Sequence, residues 1–159
     1  MYKKIAGVFL IGIVIKFMDD YLDYDIDREI GKMNFTTYFK RAILPYSLVI
    51  FMVAIYLNFK EGVGYFAASY SLGMASNTKS RLPSGLLAWQ EGLIILILSI
   101  YLTGFFNTLY SLILIFIIQI IDDIIDYRSE EYINQNNYVC RYGFFNNIFI
   151  LIILSLIGL

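Results

Sequence analysis

Long apolar runs separated by short charged blocks leave few folds open to this chain. Six runs stand out: Ile5 to Asp20, Ala42 to Phe59, Val63 to Ser76, Leu86 to Phe106, Leu109 to Asp123 and Tyr142 to Leu159. Hydrophobic residues make up 59% of the 159 residues and the mean hydropathy is +0.68, more than a soluble domain of this size can bury. The charged 16% sits mostly between the runs, as in a polytopic membrane protein. The expected fold is an all-α, polytopic transmembrane helix bundle of about six spans, one domain over residues 1–159, in contact with the lipid bilayer. A straight helix needs about 20 residues to cross the hydrocarbon core. The first, third and fifth runs must therefore gain length from the polar segments beside them. The first run lacks a small-residue cleavage pattern and reads as a retained span.

At the end of the first run lies Asp19-Asp20-Tyr21-Leu22-Asp23-Tyr24-Asp25-Ile26-Asp27. On a helix Asp19, Asp23 and Asp27 fall in one stripe, with Asp20 at its edge. Like charges at i,i+4 repel, so the stripe needs bulk water or a cation. The figure recurs after the fifth run, where Asp122, Asp123, Asp126 and Glu130 repeat the four offsets and a tyrosine again follows the third acid. Two apolar helices ending in the same figure hint at an internal duplication.

Sidedness follows from the loops. Those after runs one, three and five hold Arg28, Lys32, Lys40, Arg41, Lys79, Arg81, Arg128 and Arg141, whereas those after runs two and four hold Lys60 alone. The positive-inside rule places the first group, and both acidic clusters with it, on the cytoplasmic face of a multi-pass cell-membrane protein. A net charge of −1 gives no basic field for nucleic acid. With no histidine, a histidine base or metal ligand is excluded, and the single Cys140 excludes an intramolecular disulfide and a zinc–thiolate site.

Any metal must then be held by oxygen, and Mg2+ suits carboxylates shared with substrate phosphates. A pyrophosphate neutralised in this way leaves carbon readily. An allylic prenyl diphosphate would leave a resonance-stabilised cation that aromatic faces stabilise further. Phe17, Tyr21, Tyr24, Phe116 and Tyr127 lie within reach of the acidic helices for that role.

The two motifs resemble those of the UbiA superfamily of intramembrane prenyltransferases, an Asn-Asp-x-x-Asp-x-x-x-Asp signature and a later Asp-x-x-x-Asp. Asp19, Asp20, Asp23 and Asp27 match the first, with Asp in place of Asn; Asp122, Asp126 and Glu130 match the second, with Asp123 an added acid. The resemblance implies a UbiA-like bundle in which all eight acids hold two Mg2+ ions and Asp20, Asp23, Asp122 and Asp126 are catalytic. It also implies a prenyl diphosphate with its tail down in the bundle. Lys32, Lys40, Arg41, Lys79, Arg81 and Arg128 would grip the pyrophosphate, and an acceptor of unknown identity would take the prenyl group. The family usually has about nine spans; alignment on the motifs leaves this chain without the first and the last two. That implies a minimal enzyme, a homo-oligomer completing its bundle between chains, or a remnant.

Prenyl transfer is the expected activity, with a membrane terpene cyclase acting without acceptor as the alternative. A different class, an acid-mouthed divalent-cation transporter, predicts polar residues through the membrane, whereas the runs below the acids are mainly Ile, Leu, Val and Phe. A non-catalytic membrane subunit would leave the clusters unexplained. Among lesser features, Lys16 has the i,i+4 spacing for a pair with Asp20. Gln119 is polar at membrane depth, Gly104 and Asn107 read as a turn, and residues 134–137 read as a polar loop without chemical signature.

Overall fold

The structure, a computed structural model, describes residues 2–29, 31, 33–76, 78–129 and 137–158, without the side chains of residues 26, 76, 126, 129 and 155–158. All regular elements among the described residues are helical: α1 (Tyr2–Leu22), α2 (Tyr24–Glu29), α3 (Phe35–Phe39), a 3-10 turn (Lys40–Ala42), α4 (Ile43–Leu57), α5 (Phe59–Ser76), α6 (Ala88–Thr103), α7 (Phe105–Ser129), α8 (Tyr138–Tyr142) and α9 (Phe144–Gly158). The six expected runs fall on α1, α4, α5, α6, α7 and α9. Of these, the stretches Phe35–Leu57 and Phe105–Ile125 are long and apolar enough to cross a membrane; Ala88–Thr103 and Phe144–Leu154 are shorter apolar helices. The first run differs because Lys3, Lys4, Lys16, Asp19 and Asp20 all fall within α1, and the third because α5 is rich in glycine and hydroxyl residues. The chain divides into two compact units, Met1–Phe66 and Ala67–Leu159.

In the first unit α1 packs along α4. Gly7, Ile11, Val14 and Phe17 form its buried stripe at spacings of three and four, against Ile43, Ser47 and Ala54 of α4. Gly7 is where the backbones come closest: a Cβ there would lie 3.5 Å from the Ala54 carbonyl oxygen and 3.2 Å from the Asn58 Cβ, the small-residue contact typical of apolar helix pairs. The ring of Pro45 would meet the carbonyl of Arg41 in an unbroken helix, and the chain takes its 3-10 turn there. At the far end Lys4 pairs with the buried Glu61 at 2.6 Å, and Phe51 packs on Phe66 with ring centroids 4.7 Å apart.

The second unit is tied by hydroxyl groups. Ser71 donates to the Gly92 carbonyl at 3.0 Å, and the Tyr70 hydroxyl donates to Glu91. Ser99 and Thr108 lie 3.0 Å apart, with Thr103 3.2 Å from Thr108. Between α6 and α7 the turn is Gly104 alone, at φ +97°; Asn107, expected in that turn, lies within α7, where its carbonyl accepts from Ser111. Ahead of α6 a tight hairpin closes with Ala88 N–H on the Ser80 carbonyl (3.0 Å) and Leu82 N–H on that of Leu86 (2.9 Å), carrying Arg81 on its exposed side.

Candidate functional site

The first acidic cluster sits where α1 bends into α2. Asp23 N–H donates to the Asp19 carbonyl at 3.0 Å and Asp27 N–H to that of Asp23 at 2.9 Å, so the helical pattern passes through the bend and keeps Asp19, Asp23 and Asp27 on successive turns. Asp19, Asp23 and Asp25 are exposed and Asp27 half-buried. Asp20 is different: only 4% of it is exposed. Its Oδ1 lies 3.0 Å from Lys16 Nζ, realising the i,i+4 spacing, and its Oδ2 accepts the Phe35 N–H at 2.7 Å. Phe35 opens α3, and a helix start leaves backbone N–H groups that need an acceptor; a carboxylate supplies one with favourable charge.

Asn34 completes this arrangement. It is buried, and its Oδ1 accepts from Thr37 N–H at 3.1 Å as the cap of α3. Its Nδ2 donates to the Asp20 carbonyl at 3.1 Å and to Asp27 Oδ2 at 2.8 Å. The base of the acid-rich segment, residues 21–33, is thus closed by Asp20 and Asn34, as in a compact surface loop.

The second cluster carries the same device. Asn137 Nδ2 donates to the Asp123 carbonyl at 2.9 Å, and Tyr138 N–H donates to Asp123 Oδ2 at 2.6 Å. Asn137 Oδ1 caps α8 through Val139 N–H at 2.8 Å. Asp20 and Asp123, Asn34 and Asn137, Phe35 and Tyr138 each lie 103 residues apart, and so do Lys40 and Gly143, which end α3 and α8 at positive φ, +51° and +84°. Of residues 134–137, read as a polar loop without chemical signature, Asn137 is thus a cap and a tie to α7, while 134–136 lie outside the described residues. Asn34 and Asn137 share a spacing of 14 residues from the second acid of their clusters, the signal in the sequence that points to this role.

Beside the first cluster runs an open apolar groove of about 480 Å³, lined by Phe9, Gly12, Ile13, Lys16, Phe17, Phe35 and Phe39. The Phe17 ring packs tilted against those of Phe35 and Phe39, with centroids 5.3 Å and 5.5 Å apart. In the second copy the positions of Gly12 and Ile13 are taken by Ile115, buried, and Phe116, which packs at 5.6 Å edge-on against Tyr138. Burial raises the Tyr138 hydroxyl above the ordinary tyrosine range, with the Asp123 charge adding to it.

Of the other candidate residues, Tyr21, Tyr127, Lys40, Arg41, Lys79, Arg81, Asp122 and Arg128 are exposed, and Tyr24 is half-buried. Arg128 lies over the Phe144 ring at 5.0 Å. Lys32, Glu130 and the Asp126 side chain lie outside the described residues. Among the described residues no three carboxylates converge as a metal cage. The donor set still suits Mg2+, which typically takes one or two carboxylates and completes its shell with water and phosphate oxygens. Comparison with family models, curated proteins and solved structures finds no match for this chain.

Proposed function

We propose that this chain is a membrane-embedded, Mg2+-dependent prenyltransferase acting on a prenyl diphosphate at the cytoplasmic face. One observation carries the reading: the exposed Asp19 on α1, and Asp23 just past its end, follow directly after the α1 residues that line a phenylalanine-rich groove, pairing a seat for a metal-bound diphosphate with one for an apolar tail. The membrane setting is supported by the two long apolar stretches, only 17% and 22% of which are buried within the chain. Exposed rows such as Leu48, Val49, Met52 and Val53 on α4, and Leu93, Ile94, Ile97 and Leu98 on α6, are explained if lipid covers them.

On this reading Asp19, Asp23 and Asp27 of the first copy, and Asp122 with Asp126 and Glu130 of the second, are the candidate ligands of Mg2+. The metal would supply charge neutralisation for the departing pyrophosphate. Lys40 and Arg41 within the first unit, and Lys79, Arg81 and Arg128 within the second, are the candidate cations for pyrophosphate oxygens. The groove would hold the tail, while the rings of Phe17, Phe35 and Phe39 would favour positive charge developing beside them. The C–O bond breaks with its electron pair leaving on pyrophosphate. The acceptor's nucleophile then bonds to the allylic carbon and releases a proton. An apolar groove below the acids fits this better than an ion path.

The deciding experiment measures pyrophosphate release by the purified chain in lipid nanodiscs from geranyl, farnesyl and geranylgeranyl diphosphates, with and without Mg2+. Mg2+-dependent release supports the reading, and the organic product separates transfer or hydrolysis from cyclisation. No release from any of the three, together with no Mg2+-dependent thermal stabilisation by a non-hydrolysable prenyl diphosphate analogue, refutes it.

A further inference from the structure

Each acidic cluster contains one aspartate unlike its neighbours. Asp20 is buried and its two oxygens are engaged, one by Lys16 and one by the Phe35 N–H. Asp123 Oδ2 takes the Tyr138 N–H at 2.6 Å. In both copies the asparagine next to that N–H donates back to the same aspartate's backbone carbonyl. Two bonds thus join the C-terminal end of α1 to the start of α3, and the C-terminal part of α7 to the start of α8. The residues between differ: Asp25, Arg28 and Lys32 of the first copy correspond, 103 residues on, to Arg128, Glu131 and Gln135. The bonds recur although the intervening sequence matches only in part, as at Asp23 with Asp126 and Tyr24 with Tyr127.

We propose that Asp20 with Asn34, and Asp123 with Asn137, are positioning clamps, so that of the adjacent acids in each cluster Asp19 and Asp122, and not Asp20 and Asp123, face the ligand. This reassigns two residues that the motif resemblance places among the metal ligands. The physical basis is that turning an aspartate oxygen away from a helix-start N–H to serve a ligand would orphan that N–H next to apolar surface. The clamp stands on hydrogen bonds alone; the assignment of the remaining acids to Mg2+ rests on the proposed function.

Two measurements on the full chain in nanodiscs test it. In hydrogen exchange read at single residues, the Phe35 and Tyr138 amides are protected in the parent; Asp20→Ala exposes the first and Asp123→Ala the second, while Asp20→Asn and Asp123→Asn, which keep an acceptor oxygen, retain protection. In Mg2+-dependent pyrophosphate release, Asp20→Ala and Asp123→Ala lower kcat about 10- to 100-fold, the usual effect of losing a group that orients ligands. Their Asn counterparts recover part of it, and all four leave the Mg2+ concentration for half-maximal rate in place. Asp23→Asn, by contrast, raises that concentration. The clamp is overturned if the Phe35 and Tyr138 amides exchange as fast in the parent as in the alanine variants. The division of labour is overturned if Asp20→Asn shifts the Mg2+ requirement as far as Asp23→Asn does. Should the parent neither release pyrophosphate nor be stabilised with Mg2+ by the non-hydrolysable analogue, the catalytic reading falls and hydrogen exchange alone judges the clamp.

Discussion

Replacing Asn137 with alanine should destabilise the protein by about 2 kcal/mol, and Asn34→Ala by the same or slightly more. Asn137 is 6% exposed; its loss removes the cap on Val139 and Cys140 N–H, typically about 1 kcal/mol. It also removes the bond to the Asp123 carbonyl, a net contribution of about 1 kcal/mol. Asn34 gives up the equivalent pair of interactions and in addition its bond to Asp27, which is half solvent-exposed and adds less than about 1 kcal/mol. For a chain of this length each kcal/mol moves the midpoint by roughly 2–4 °C, so thermal unfolding in nanodiscs should fall by about 4–8 °C for either variant. Asn146→Ala is the control: Asn146 also bonds to a backbone carbonyl, that of Tyr142, but is exposed and should stay within about 0.5 kcal/mol. If both variants melt with the control, or if only one of the pair moves, the two copies do not share a clamp.

Further expectations are open to equally direct tests. Lys16→Met strands the Asp20 carboxylate, 5% exposed, beside a partner that was 54% exposed; the cost should be about 1–2 kcal/mol, below the 3–5 of a fully buried pair, and a melt unchanged from the parent contradicts it. Gly12→Leu meets no atom within 4 Å of its Cβ, so stability should hold while farnesyl and geranylgeranyl diphosphate turnover falls through occlusion of the groove; full turnover would remove the groove from the tail site. Because the Tyr138 hydroxyl titrates higher in the folded chain than its unfolded value of about 10, its contribution is intact below pH ~10 and is lost as pH rises through the folded value. Tyr138→Phe should therefore flatten the alkaline limb of the stability profile, and an identical limb in parent and variant sinks the argument.

The two copies have diverged in one respect that bears on function. Gly12 leaves the first groove open, whereas Ile115 and Phe116 occupy the matching positions of the second. Among the described residues, the groove traced beside an acid cluster is that of the first copy. On the proposed function, a prenyl tail would lie in that groove.

By itself the sequence determined the helices, the spacing of the acids and the existence of two related clusters. All three depend on backbone hydrogen bonds four residues apart and on side-chain periodicity, both of which are local. The Lys16–Asp20 pair belongs to the same class and is present as the spacing required. Tertiary structure decided the rest. That Asp20 is a buried acceptor while Asp19 faces outward depends on where α3 returns to α1, 15 residues later, and no local period encodes that return. Asn34 and Asn137 took on meaning only once the chain had closed on itself, because a cap across a loop needs two segments fixed in space. The groove likewise exists because Gly12 faces no neighbour, whereas Gly7, five residues earlier on the same helix, is pressed against α4. Composition makes both positions glycine; packing alone makes one a contact and the other an opening.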